Sequence, residues 1–62
     1  MKDVINAVKK GDWVEVDGER GNVRGIVMNG LVPETFSLYD GREGWDVGVN
    51  EIEEIEILQL RR

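Results

Sequence analysis

The chain of 62 residues has room for one domain and one hydrophobic core. It contains no cysteine and no histidine, which excludes disulfides, thiolate or imidazole zinc sites, and every catalytic arrangement that needs those side chains. Thirteen acidic residues against eight basic ones leave a formal charge of −5, so the broad basic footprint of a general nucleic-acid or anionic-membrane binder is missing.

Met1, Val4, Ile5 and Val8 fall at i, i+3, i+4 and i+7 and predict a short helix with one apolar stripe. Asp3 suits its positive end, Lys9 and Lys10 its negative end, and Gly11 is a stop signal. A helix this short does not persist alone in water, so the stripe must lie on something. From Asp12 onward the period drops to about two residues. Trp13–Val16 reads as a first strand with Val14 and Val16 inward, followed by an Asp17-Gly18 turn. A second strand is expected from about Asn22 to Met28, then a turn at Asn29-Gly30. Pro33 is expected to interrupt pairing before a third strand at Thr35–Tyr39, in which Phe36 and Leu38 face inward. After the connection 40–44, Trp45, Val47 and Val49 share one face of a fourth strand. Residues 50–53 read as a single 3₁₀-like turn before a last strand at Glu54–Leu60. There Ile55 and Ile57 alternate with Glu54 and Glu56, while Leu58 and Leu60 put apolar side chains on the other face.

The expected fold is mainly β: a short N-terminal helix, then five bent antiparallel strands curled into a small, partly open barrel spanning residues 1–62 as one domain. Eight glycines in turns and strand interiors suit the sharp bends this requires. A domain of this size without disulfide or metal staples commonly gains stability by oligomerising. Its two edge strands offer a route, because matching edges pair head to tail and close into a ring. Val47, Leu58 and Leu60 are the candidate interface residues. The longest apolar runs, 25–28 and 47–49 among them, are too short to span a bilayer, and the N-terminus has no apolar signal-peptide core. A cytoplasmic protein without membrane contact, cofactor or catalytic activity is expected.

The helix-then-five-strands order resembles the Sm/LSm family, which includes the bacterial Hfq proteins. Val14-x-Val16 with a glycine-containing hairpin, and Val23-Arg24-Gly25-Ile26-Val27 as a bent strand around a glycine, carry the likeness. From Gly25 to Asp40 the spacing matches the family without a gap, with Phe36 and Leu38 at the apolar positions of the third strand. The resemblance implies an SH3-like/Sm-like barrel, a ring of roughly five to seven copies, and binding of RNA or single-stranded DNA by two pore-side loops. Those loops correspond to Gly30–Thr35 and Gly48–Asn50. The family's Asp-x-aromatic/His-x-Asn is replaced here by Leu31-Val32-Pro33-Glu34-Thr35, and its Arg-Gly-Asp/Asn by Gly48-Val49-Asn50. Backbone amides around Gly30, Pro33 and Gly48, with the side chains of Thr35 and Asn50, are then the expected contacts to sugar or base. Arg24 or Arg42 would meet phosphate.

The remaining residues carry plainer readings beside functional ones. Trp13, Tyr39 and Trp45 offer stacking surfaces, but a small barrel also needs large fillers in its core or between subunits. Arg20 and Arg42 on hairpin turns, and Lys2, Lys9 and Lys10 on the helix, repeat around a ring as phosphate contacts or else act as solvated charge. Glu51, Glu53, Glu54 and Glu56 lack the spacing of a calcium loop and read as a solvated face, with no metal expected. The acid surplus over residues 43–56 supports a rival function: an acidic SH3-like module that binds a basic protein, even as a mimic of nucleic-acid charge.

Overall fold

The N-terminal stripe forms a helix shorter than its spacing predicts. In the computed structural model, which describes residues 2–59, α1 spans Lys2–Ala7; Met1, the first residue of the stripe, lies outside the described residues. The last turn tightens as the Val8 N–H donates to the Ile5 carbonyl at 3.3 Å. Asp12 then folds back on the chain. Its carboxylate accepts the Lys9 N–H at 2.9 Å, and its own N–H donates to the Lys9 carbonyl at 3.1 Å. This junction takes up the groups that another helical turn would have used, and Asp12 is wholly buried within it.

Five antiparallel strands follow: β1 (Trp13–Val16), β2 (Glu19–Asn29), β3 (Val32–Tyr39), β4 (Gly44–Gly48) and β5 (Ile55–Gln59), with a 3₁₀ turn η1 (Val49–Glu51) between the last two. They form one sheet in the order β4-β3-β2-β1-β5, and it is not closed, since β4 and β5 pair only on their inner sides. Asp17 and Gly18 both have positive φ, +49° and +87°, the requirement of a two-residue hairpin that follows the twist of its strands. That tight turn lets β2 start at Glu19, earlier than the alternation predicts. Pro33 does not interrupt β3. It pairs opposite Met28 at a register shift, where a ladder tolerates a residue with no N–H. A second shift between Val23 and Gly25 leaves Arg24 as an extra residue, so Val23 and Ile26 both face the core, opposite Leu38 and Phe36. Leu58 falls at a third irregularity in the β1–β5 register and is exposed; Leu60 lies outside the described residues.

The core is one cluster of Ile5, Val8, Val14, Val16, Val23, Phe36, Leu38 and Ile52, with Trp45 and Val47 packed at its border. The predicted inward residues of β1 and β3 are therefore inside. Gly21 is buried with no room for a side chain: a methyl group there would lie 3.1 Å from Leu38 Cβ and 3.2 Å from Trp45 Cη2. Among the described residues no helix is long and apolar enough to cross a membrane.

The first hairpin also holds the last strand. The Asp17 N–H donates to the Glu54 carbonyl at 3.0 Å, and its carboxylate accepts the N–H groups of Glu54 at 2.8 Å and Glu53 at 3.1 Å. Asp17→Gly separates two opposed effects, since glycine relieves the left-handed backbone but loses the carboxylate. The backbone bond to Glu54 survives, but the carboxylate's bonds to the N–H groups of Glu53 and Glu54 outweigh one unfavourable φ, so the substitution is expected to destabilise by about 1 kcal/mol. Urea denaturation checks it; a stabilised variant would mean that backbone strain dominates.

Candidate functional site

The second hairpin projects from the sheet. Asn29 pairs with Val32, and the turn between them has positive φ at its first central residue, Gly30 (+66°), leaving Leu31 at the tip. Behind the tip, Thr35 lies beside Gly48 in the β3–β4 register. Immediately after Gly48 the chain turns into η1, whose packing needs the missing side chain: a Cβ on Gly48 would meet Glu51 Oε1 at 3.0 Å. The sheet thus brings the two predicted loop segments side by side. Between them and α1 lies a groove of about 450 Å³ lined by Ile5, Asn6, Val32, Pro33, Val49 and Asn50.

This lining is uncharged. Ile5, Val32, Pro33 and Val49 make it largely apolar, and the amides of Asn6 and Asn50 add two polar side chains that no other described residue engages by hydrogen bond. Each amide offers a donor and an acceptor. Glu51 sets a carboxylate beside the Gly48 edge of the loops, which disfavours phosphate there and leaves the uncharged portion of a ligand as the better fit.

Pro33 and Asn50 line the groove, Thr35 and Gly48 adjoin each other in the sheet, and Gly30 forms the tip. Arg24 and Arg42 lie elsewhere. As the bulged residue of β2, Arg24 turns to the outer face, where its guanidinium carbon sits 4.9 Å from the Tyr39 ring centroid. That pair borders a wider depression of about 540 Å³, in which Ser37 Oγ donates to Asp46 Oδ1 at 2.8 Å. Its polar groups are thus already paired with one another, unlike the two asparagines. Val47, opposite Phe36 on the core side, contributes packing there, while its strand leaves a backbone edge open. Arg20 pairs with Glu15 at 2.8 Å. Among the described residues no group of three or more acidic side chains is arranged to hold a metal ion.

Asn6 was not distinguishable in the sequence. It follows Ile5, whose burial fixes the helix, and so stands on the rim of the groove rather than in either loop. Comparison with family models, characterised proteins and solved structures returns no match for this chain.

Arg42 belongs to the tight β3–β4 turn, held by Asp40. The Asp40 carboxylate accepts the N–H groups of Glu43 at 2.9 Å and Arg42 at 2.8 Å, and these bonds hold its pKa below the usual aspartate value. A lowered folded pKa means that the turn's contribution is complete above the ordinary aspartate range and is lost as pH falls through the folded value. Asp40→Asn is expected to lower stability at pH 7 and to flatten the acid limb of a stability–pH curve measured by denaturation. An acid limb unchanged in Asp40→Asn would assign that dependence to other carboxylates.

Proposed function

We propose that this is a non-catalytic Sm-like protein that binds RNA or single-stranded nucleic acid in the groove between α1, β3 and η1. The observation that carries the reading is the pair of unengaged amides, Asn6 and Asn50, on an uncharged apolar floor that includes Pro33. Single-stranded bases are held by apolar or stacking contact on their faces and hydrogen bonds on their edges. The groove supplies both at the scale of one base. Thr35 and the backbone near Gly48 and Gly30 extend the contact along the strand, and Arg24 and Arg42 meet phosphate only where the nucleic acid leaves the groove. With no cation in the lining, binding is weak and its salt dependence shallow.

The barrel reading rests on the helix-then-five-strands order and on the short connection between opposite sheet edges. The open edges of β4 and β5 support assembly into a ring of roughly five to seven copies, in which repeated weak sites add by effective concentration. Leu58→Asp is expected to reduce the mass in solution, read by light scattering, to that of a single chain. An unaffected oligomer would reject pairing through β5.

Fluorescence anisotropy with labelled oligo(U), oligo(A) and single-stranded DNA at low salt tests the site. Asn50→Ala and Asn6→Ala are each expected to weaken binding about fivefold, the effect of one lost hydrogen bond, with the far-UV circular dichroism retained. Absence of binding to all three probes, or binding indifferent to both substitutions, overturns the reading. One observation favours a second function in that event: Glu15, Asp17, Glu54 and Glu56 together line a depression of about 320 Å³. Such a surface suits a basic segment of a partner protein, the role of an acidic SH3-like interaction module.

A further inference from the structure

Three turns of the chain set an aspartate or asparagine before a glycine: Asp17-Gly18, Asn29-Gly30 and Asp40-Gly41. Both aspartates are occupied. The Asp17 carboxylate holds the N–H groups of Glu53 and Glu54, and the Asp40 carboxylate those of Arg42 and Glu43. Asn29 is different. It is exposed, and its side-chain amide makes no hydrogen bond to any described residue. The nitrogen of Gly30 likewise donates to no described residue, and beyond its chain neighbours no atom lies within 4 Å of where its Cβ would stand.

We infer that Asn29 is a site of spontaneous covalent modification, its amide converting to a carboxylate through a five-membered ring closed by the Gly30 nitrogen. That nitrogen attacks Asn29 Cγ and forms a new C–N bond. The bond from Cγ to the side-chain nitrogen breaks, and the side-chain nitrogen departs as ammonia with the proton that Gly30 gives up. Water then opens the ring at either carbonyl, giving aspartate or its β-linked isomer. Water is the only co-reactant. Glycine matters because a side chain beside the attacking nitrogen would crowd the ring. Closure also requires Asn29 to leave its extended conformation. Asn29 and Val32 form the last pair of a projecting hairpin, and end pairs open at little cost. The other asparagines lack these conditions. Asn22 Nδ2 donates to the Gly11 carbonyl, and the N–H of the following Val23 donates to the Asp12 carbonyl. Asn6 and Asn50 lie in helical turns and precede alanine and glutamate.

The consequence rests on the proposed nucleic-acid reading. From residue 27 to residue 33 there is no charge, and Val32, the partner of Asn29, belongs to the wall of the groove. A carboxylate at the tip repels a phosphate chain passing there, so binding weakens as the protein ages. Incubation of the native chain, then trypsin digestion and mass spectrometry, tests the modification. Cleavage after lysine and arginine isolates residues 25–42, in which Asn29 is the only asparagine. This fragment is expected to gain about 1 Da, about tenfold faster than the fragments holding Asn6, Asn22 and Asn50. The gain is expected to be faster at alkaline than at neutral pH, because the attacking nitrogen must lose its proton. A fragment that keeps its mass, changes no faster than the others, or gains as fast in Asn29→Gln overturns the assignment. Asn29→Asp is expected to bind oligo(U) about threefold more weakly by anisotropy, with circular dichroism retained; equal affinity overturns the consequence. If oligo(U) does not bind while the fragment still gains mass, the modification stands and only the nucleic-acid reading falls.

Discussion

Residues 49–54 carry the chain from one edge of the sheet to the other, and much of the structure depends on how short that passage is. Flat, the edges would stand about 19 Å apart across four strand spacings. The passage, fully extended, reaches about 25 Å at most, and its 3₁₀ turn rises only about 2 Å per residue, which removes most of the slack. Little chain is left over beyond what links the two edges, and Ile52 drops from this passage into the core. The register shifts in β2 and β1 are where the strands bend, and the Asp17 clamp fixes the far end of the passage against the first hairpin. Core and clamp are thus tied to one passage, and the groove forms where its near end meets α1.

The distribution of charge follows the same geometry. Polar and charged side chains occupy the outer face, where the neighbouring glycines of β2 and β4 leave room for Arg24 to lie on Tyr39 and for Ser37 to meet Asp46. The groove lies among residues whose neighbours are core: Ile5 is buried, and Val49 packs against the cluster. The amides of Asn6 and Asn50 stand on its exposed rim, in reach of solvent.

The strands were legible because the alternation in β1, β3 and β4 is clean, and because Asp17-Gly18 and Asn29-Gly30 are turn sequences with a mechanism. What escaped were the consequences of irregularity. A bulge shifts the parity of every residue beyond it, so the side taken by Arg24 and Ile26 cannot be counted from Val23. A proline placed at a register shift stays in the ladder, so β3 begins at Val32, ahead of Pro33, rather than at Thr35. Helix α1 ended early because Asp12 reaches back to Lys9, a local alternative that competes with continued helix. Of the candidate site, the two loops were visible as turn segments. Asn6 was not, because its place depends on α1 docking beside η1, a contact between parts of the chain more than forty positions apart.

The projecting second hairpin has one more consequence. Its end makes no demand on the core: Gly30 and Leu31 are exposed, and no space-filling contact restrains the glycine. Lengthening a flexible loop raises its closure entropy only logarithmically, by about 0.6 kcal/mol for each doubling. The scaffold can therefore carry an inserted segment at this point with little loss of stability, whereas an insertion of similar size between β4 and β5 would disturb the packing of Ile52 and the hold of Asp17 on Glu53 and Glu54. In a lineage of such domains, the β2–β3 tip is where length should vary and residues 49–54 are where it should not.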